Sequence, residues 1–233
     1  MEGFLLVMNK VGIAEQQYVV SEIDKCVEKS KVKVYDFVKR GIDVVLALIG
    51  LLICMPIFVV IAILIKLDSR GPIFFKHKRI GKNGKKLEIY KFRTMVQNAE
   101  DAIKNFTEEQ KKEFEANFKL ENDPRVTRVG KILRKTSLDE LPQILNILKG
   151  EMSIIGPRPI VKNELEKYGQ NKGKFLSVAP GLTGYWAANG RSDVSYEERM
   201  ALELYYVDNR SLLLDLKIFL KTIGSVLRGR GAK

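Results

Sequence analysis

Apolar and polar positions divide this chain into unlike stretches. From Val44 to Ile65 it runs 22 residues without a charge, with Lys39 and Arg40 before the run and Lys66 and Arg70 after it. As a straight helix the run is roughly 33 Å long, enough to cross the hydrocarbon core of a bilayer. Buried helices of soluble proteins rarely stay apolar on every face for that length, so the run predicts a membrane segment. Pro56 lies near its middle, six residues after Gly50. Proline removes a backbone donor and clashes with the preceding turn, which predicts a break in the helix at Pro56. A kinked spanning helix and a re-entrant hairpin returning to its own side both satisfy the pattern. Cations on both flanks favour the hairpin, because positive charge prefers the cytoplasmic side.

Beyond the run the pattern shortens. Ile73 to Ile80 and Leu87 to Phe92 read as two strands joined around Asn83 and Gly84, a strong hairpin-turn signal. Residues 98–121 place Ile103, Phe106, Phe114 and Phe118 at helical intervals among alternating charges, which predicts a solvated amphipathic helix or helical pair. Asp123 and Pro124 end it. Val126 to Leu133 begins a basic amphipathic helix, and Ile144, Leu145, Ile147 and Leu148 give the next helix its apolar face, with Gly150 to close it. A further helix starts after Glu197. Leu212 to Leu227 is apolar with Lys217, Lys221 and Arg228 spaced along it, which fits either a helix lying in a membrane interface or one packed on the core.

Residues 1–38 mix short apolar pieces with charges and read as an extension without an assigned role. They lack the basic start, apolar centre and cleavage site of a signal peptide. The rest of the 233 residues suffices for one substantial domain.

Charge changes the picture. The formal net charge of +12 points to phosphates among the partners: nucleic acid, anionic lipid or nucleotide. Residues 66–93 hold ten Lys and Arg against Asp68 and Glu88, a net of +8 directly after the membrane segment, as a surface lying on anionic headgroups would. Phe74, Phe75, Tyr90 and Phe92 interleave with these cations, a pattern that also suits a nucleic-acid surface. Cys26 and Cys54 sit in unlike surroundings and do not form a disulfide framework. His77 is the sole histidine, which makes zinc and Ser-His-Asp chemistry improbable.

The candidate chemistry lies in Arg134 to Pro142, where Asp139 and Glu140 follow a basic pair. Ser137 with Glu140 three residues later is a capping-box spacing, so a plain role as acids in a first helical turn stands beside nucleophile, metal ligand or general base. Pro142 is tolerated only in the first turn of a new helix, which makes Ser137 its predicted N-cap and sets both acids at a helix N-terminus, where free N–H groups favour anions. Gly156, Pro157, Arg158 and Pro159 form a rigid loop that displays one guanidinium. Pro180, Gly181, Leu182, Thr183, Gly184, Tyr185 and Trp186, followed by Asn189, Gly190 and Arg191, repeat the theme. Close backbone approach with a planar bidentate donor suits phosphate, and an ordinary turn is the plainer alternative.

Seven motifs in one order carry a resemblance. They are Lys39-Arg40-Gly41-Ile42-Asp43, Gly71-Pro72-Ile73-Phe74-Phe75, Lys91-Phe92-Arg93-Thr94-Met95, Asp123-Pro124-Arg125-Val126-Thr127, Ser137-Leu138-Asp139-Glu140-Leu141-Pro142-Gln143, Gly156-Pro157-Arg158-Pro159 and Pro180-Gly181-Leu182-Thr183-Gly184. Over residues 39 to about 228 the chain resembles the bacterial sugar transferases, the monotopic polyprenyl-phosphate phosphoglycosyl transferases, in their small catalytic-core form. The resemblance implies an α+β, mostly helical, membrane-monotopic fold with a re-entrant helix hairpin over 39–66, a β-hairpin and interfacial amphipathic helices. Residues 67–233 would form the catalytic domain on the cytoplasmic face of the bacterial inner membrane.

It also implies the reaction. A sugar 1-phosphate passes from a nucleotide sugar, usually a UDP-sugar, to polyprenyl (undecaprenyl) phosphate with release of UMP, the first membrane step toward a capsule, exopolysaccharide, O-antigen or glycoprotein glycan. By this carry-over Asp139 is the nucleophile of a covalent phospho-sugar intermediate and Glu140 supports it, with Mg2+ as cofactor at Asp139 and Glu140. Arg134, Arg158 and Arg191 correspond to phosphate-binding arginines. The family breaks its membrane helix at Ser-Pro; here the step is Met55-Pro56. The partners so implied are the UDP-sugar, the polyprenyl phosphate and an anionic bilayer, with no nucleic acid. The alternative from charge and aromatics alone is a non-catalytic, membrane-tethered protein that binds anionic lipid or nucleic acid.

Overall fold

The computed structural model describes residues 13–99, 101–117, 120, 123–189 and 194–227. The chain forms two compact units, residues 1–42 and 43–233. Helix α1, Ile13–Asp68, begins in the first unit and ends in the second. The segment Val32–Asp68 is long and apolar enough to cross a membrane, and its apolar 18-residue window has a mean hydropathy of 3.2 with 11% of that window buried. The second unit is mostly helical and carries two small sheets.

From Asp43 onward one stripe of α1 faces the protein. Ala47 and Leu51 pack on Leu87, Ile89 and Ile144, while Phe58, Ile61 and Ile65 pack on Phe92 and Leu133. These positions recur at helical spacing, and Leu52, Ile53, Val59, Val60 and Ile63 between them stay exposed. Both ends of the stripe are fastened. Asp43 Oδ1 accepts the Ile154 N–H at 3.0 Å, and Asp68 Oδ2 accepts the Val129 N–H at 3.0 Å. Pro56 lies inside α1, which continues through it, so the expected division into two hairpin arms at Met55-Pro56 is not formed. The packed stripe accounts for this, since residues on either side of Pro56 face the same unit.

The hairpin is as the turn signal predicts. Strand β1, Phe74–Ile80, pairs antiparallel with β2, Lys86–Phe92, from Phe74 opposite Phe92 to Ile80 opposite Lys86. Asn83 at φ 57° and Gly84 at φ 75° make the turn. Phe92 is 1% exposed and meets Phe58 edge-on at 5.1 Å and Phe74 stacked at 5.5 Å. Removal from water, about 1.5–3 kcal/mol for such a side chain, outweighs the ring geometry, about 0.5–1.5 kcal/mol per pair.

The stretch 98–121 gives a 3-10 turn, Asp101–Asn105, and α2, Glu108–Asn117. Phe106 is buried under the Arg125 guanidinium at 5.1 Å, while the side chains of Phe114 and Phe118 lie outside the described residues. Helix α3, Arg128–Thr136, is capped by Thr127, whose hydroxyl accepts the Gly130 N–H at 3.0 Å. A Cβ at Gly130 would lie 2.1 Å from the Thr94 carbonyl oxygen, so only glycine lets α3 rest directly on the continuation of β2. Helix α4, Gln143–Lys149, ends at Gly150 in the left-handed region, as the pattern predicts. Asn146, fully buried on α4, accepts the Tyr90 N–H at 2.9 Å and donates to Glu88 O at 2.8 Å, closing the outer edge of β2.

Strand β3, Ser153–Ile155, pairs in parallel with β4, Gly181–Thr183. Short helices α5, Lys162–Glu166, and α6, Lys172–Phe175, lie between them. After β4 come α7, Tyr185–Asn189, then α8, Tyr196–Asn209, with a Ser195–Glu198 capping box, and α9, Leu212–Leu227. Asp215 on α9 lies 2.8 Å from the Tyr206 hydroxyl and its helix buries Ile218, so α9 packs on the core while Leu213, Leu216 and Leu220 remain exposed. Of the two roles expected for this helix, core packing is the one the structure shows.

Glu203 of α8 is 1% exposed and accepts the Arg158 N–H at 3.1 Å, which fastens the loop between β3 and α5. Burial pushes its carboxyl up to about 7, against the pull of that N–H and of Arg199 and Arg158. The folded state therefore holds a proton that the unfolded chain releases near 4.5. Stability is full below that value and falls as pH rises from about 4.5 to about 7, by up to about 3 kcal/mol. Glu203→Gln, which keeps the acceptor for Arg158, is expected to remove that part of the slope in Tm against pH. An unchanged slope would show that Glu203 does not carry it.

Candidate active site

Asp139 and Glu140 occupy a 3-10 turn, Leu138–Glu140, between α3 and α4. Ser137 is not the N-cap expected from its spacing to Glu140. It adopts φ 57°, closes the C-terminus of α3 with its N–H on Arg134 O at 3.2 Å, and makes no side-chain cap. The reason lies in Pro142. A helix begun at Leu138 would drive the Pro142 ring into the Leu138 carbonyl, so the chain takes one tight turn and restarts at Gln143. The acids therefore precede α4 instead of sitting in its first turn, and cationic side chains supply the positive surroundings.

The nearest cation is Lys91 of β2, not singled out from sequence. Its Nζ lies 2.6 Å from Glu140 Oε1 and 3.6 Å from Asp139 Oδ2. The Asp139 side chain is 13% exposed. Burial raises its carboxyl above the ordinary aspartate value, Glu140 adds to the rise, and Lys91 and Arg134 oppose it. The result is a carboxylate more basic than usual, held ionised by two cations. Arg134 comes from the last turn of α3, and its Nε donates to Thr94 Oγ1 at 2.9 Å. Burial lowers its basicity while Asp139 and Asp123 support its charge.

Arg158 belongs to the neighbouring cationic group. Arg79 Nη1 lies 2.5 Å from His77 Nε2, and burial with the charges of Arg79, Lys91 and Arg158 drives the imidazole down to about 4. A neutral His77 thus accepts from Arg79, and Lys91 and Arg158 act on the same ring. The Arg158 guanidinium also lies 5.6 Å from the Trp186 ring centre, with Arg199 at 4.7 Å from that ring. A Cβ at Gly181 would lie 2.2 Å from the Gly156 nitrogen, so this pair of glycines lets the two loops that bear Arg158 and Trp186 touch. Arg191 lies outside the described residues.

The arrangement joins two carboxylates to several fixed cations, a setting able to hold anionic oxygens around an attacking carboxylate. Among the described residues no cluster of three or more His, Cys, Asp and Glu side chains is present. Two adjacent carboxylates are nevertheless a sufficient protein share for Mg2+, which takes the rest of its oxygens from water and substrate phosphates. Lys91 opens one of the seven motifs but was given no role from sequence, and Glu203 lies outside all of them. Lys91 stands in a strand full of lysines, and Glu203 in a helix that opens on Glu197, Glu198 and Arg199.

The sequence matches the family model of bacterial sugar transferases over residues 34–229. It is 47% identical over 197 residues to the exopolysaccharide production protein ExoY of Sinorhizobium fredii, covering 83% of this chain and 87% of that protein. It is 44% identical over 199 residues to the undecaprenyl-phosphate galactose phosphotransferase of Salmonella typhimurium, covering 84% of this chain and 42% of the relative. A third relative, from Aeromonas hydrophila, is named as a UDP-N-acetylgalactosamine-undecaprenyl-phosphate N-acetylgalactosaminephosphotransferase and is 40% identical over 86% of this chain and 46% of its own length. With the match spanning nearly all of the second unit and both acids of the turn, the chain belongs to the bacterial sugar transferase family.

Proposed function

We propose that this transferase moves a sugar 1-phosphate from a UDP-sugar to undecaprenyl phosphate, as the first membrane step of a surface glycan such as an exopolysaccharide or capsule. The observation that carries the reading is the half-buried Asp139 carboxylate, raised in basicity by burial and paired with Lys91 beside Arg134. Relatives named for undecaprenyl-phosphate sugar transfer support the acceptor.

In the first step an Asp139 oxygen forms a bond to the phosphorus next to the sugar. The diphosphate P–O bond breaks, and its electron pair leaves with UMP. In the second, an oxygen of the lipid phosphate attacks the same phosphorus, and Asp139 departs as the free carboxylate. Splitting the transfer lets one site serve a soluble donor and a lipid acceptor in turn. Glu140 holds Lys91 in place, and Lys91 and Arg134 meet charge on the phosphoryl oxygens, with Arg158 and Arg191 proposed for the rest of the phosphates. Mg2+, held by Asp139 and Glu140, would supply further charge neutralisation when bound.

The proposed topology is monotopic, in the bacterial inner membrane with residues 67–233 on the cytoplasmic face. Its support is that Asp43 and Asp68, some 37 Å apart along a straight helix, both bond the same unit. Cations flank the apolar run on both sides as well. The part from 39 to 66 would then lie against the bilayer along its apolar side, with both ends on the cytoplasmic face and without crossing it.

Four measurements test this reading. Detergent-solubilised protein with undecaprenyl phosphate, Mg2+ and a UDP-sugar panel that includes galactose and N-acetylgalactosamine donors is expected to release UMP with at least one donor. Asp139→Asn should lower that turnover roughly 10⁴-fold and abolish the trapped phospho-sugar adduct, and wild-type turnover in this variant would refute the nucleophile. Because Lys91 lowers the Asp139 carboxyl, Lys91→Met is expected to reduce kcat/KM about 10²-fold and to shift its acidic limb to higher pH. An unshifted limb would separate Lys91 from Asp139. In a variant without Cys26 and Cys54, single cysteines placed before Lys39 and after Arg70 should both label from the cytosolic side, and labelling from opposite sides would mean a spanning helix.

A further inference from the structure

Away from the acids, α7, α8 and α9 enclose an open groove of about 770 Å³. Its lining is mixed, with Tyr185, Ala188, Leu214 and Ile218 on the apolar side and Asn189, Lys217 and Lys221 among the polar groups. The two lysines are four residues apart on one helix, so their stems are neighbours about 6 Å apart. Neither is paired with a carboxylate among the described residues, and Lys221 Nζ instead donates to Asn189 Oδ1 at 2.5 Å. Leu220 lines the groove and also belongs to the outward stripe of Leu213, Leu216 and Leu220, more than half exposed on each. The groove therefore opens onto the apolar surface that α9 offers a bilayer, with positive charge at the boundary.

We infer that this groove seats one anionic phospholipid, its acyl chains on the Tyr185, Ala188 and Ile218 wall and its phosphate between Lys217 and Lys221. The size falls within the range of small-molecule sites, and adjacent ammonium groups that lack an acid are relieved by a phosphate. Membrane attachment by charge alone would need no concavity beneath the lysines. The groove has a second neighbour of consequence. Helix α7 lends Tyr185, Ala188 and Asn189 to it and carries Trp186, against which Arg158 rests. A lipid filling the groove braces the helix that positions Arg158. The inference rests on the reading of α9 as a membrane-surface helix, and not on the identity of the sugar.

Native mass spectrometry tests it on the full chain in detergent, equilibrated with phosphatidylglycerol, phosphatidylcholine or undecaprenyl phosphate. Wild type is expected to retain one phosphatidylglycerol per chain and little phosphatidylcholine. Lys217→Gln with Lys221→Gln should weaken that retention roughly thirtyfold, by about a kcal/mol per lost cation. Ala188→Trp, which fills the groove and leaves both lysines, should abolish it with an unchanged circular dichroism spectrum. Equal retention of the two phospholipids, equal retention by wild type and the double variant, or preferential retention of undecaprenyl phosphate would each overturn the assignment. UMP release measured on the same samples keeps the outcomes apart. Turnover with no phosphatidylglycerol bound to wild type sinks the groove and spares the transferase reading, whereas specific lipid retention without turnover on any donor does the reverse.

Discussion

The side chain of Asn146 ties α4 to the outer edge of β2, and the geometry of the acidic turn follows from that tie. Strand β2 carries Lys91 one residue beyond Tyr90, whose N–H Asn146 accepts, and the turn bearing Asp139 and Glu140 leads through Pro142 into the helix bearing Asn146. Two short segments from distant parts of the chain are thereby locked in register, and a lysine meets both acids as a result. A fully buried amide with donor and acceptor sides both satisfied is worth more than its net hydrogen bonds, because the Asn146 side chain would otherwise be buried without partners, at about 1–3 kcal/mol.

Charge at the site is unbalanced on purpose of place rather than number. Asp139 is more buried than Lys91, so desolvation raises its proton affinity while the lysine restrains the rise. On the far side of Lys91 the cations outnumber the acids, and His77 is kept neutral by its burial first and by Arg79, Lys91 and Arg158 beside it. Like charges so placed repel one another in the empty protein. They are held by the fold, through Thr94 for Arg134 and through Glu203 for the backbone of Arg158.

Much of this was legible in the sequence where a residue type admits one local solution. Asn83 and Gly84 announced the hairpin, Gly150 the end of α4, and the apolar run from Val44 the long helix. The reading failed where two local rules competed. Ser137 and Glu140 have capping spacing, yet Pro142 forbids the helix that such a cap would start, and the proline prevailed. Pro56 was read as a break from backbone chemistry alone, without the long-range packing of Ala47, Ile61 and Ile65 that holds both flanks on one unit. Lys91, Glu203 and the anchoring aspartates Asp43 and Asp68 were illegible for a plainer reason. Each acts on a partner far along the chain, and nothing near it in sequence marks the encounter.

The same stripe of α1 has a bearing on how the protein comes into being. Its Ala47, Phe58, Ile61 and Ile65 are structural members of the apolar clusters that also contain Ile89, Ile144, Phe92 and Leu133. The helix long and apolar enough to cross a membrane is thus also one wall of the interior beside the acidic turn. A version trimmed of residues 43–68 would bare a trench along β2, α3 and α4, and what remained would be an incomplete body rather than a soluble one. For this transferase, the segment fit for a membrane cannot be separated from the segment that completes the fold.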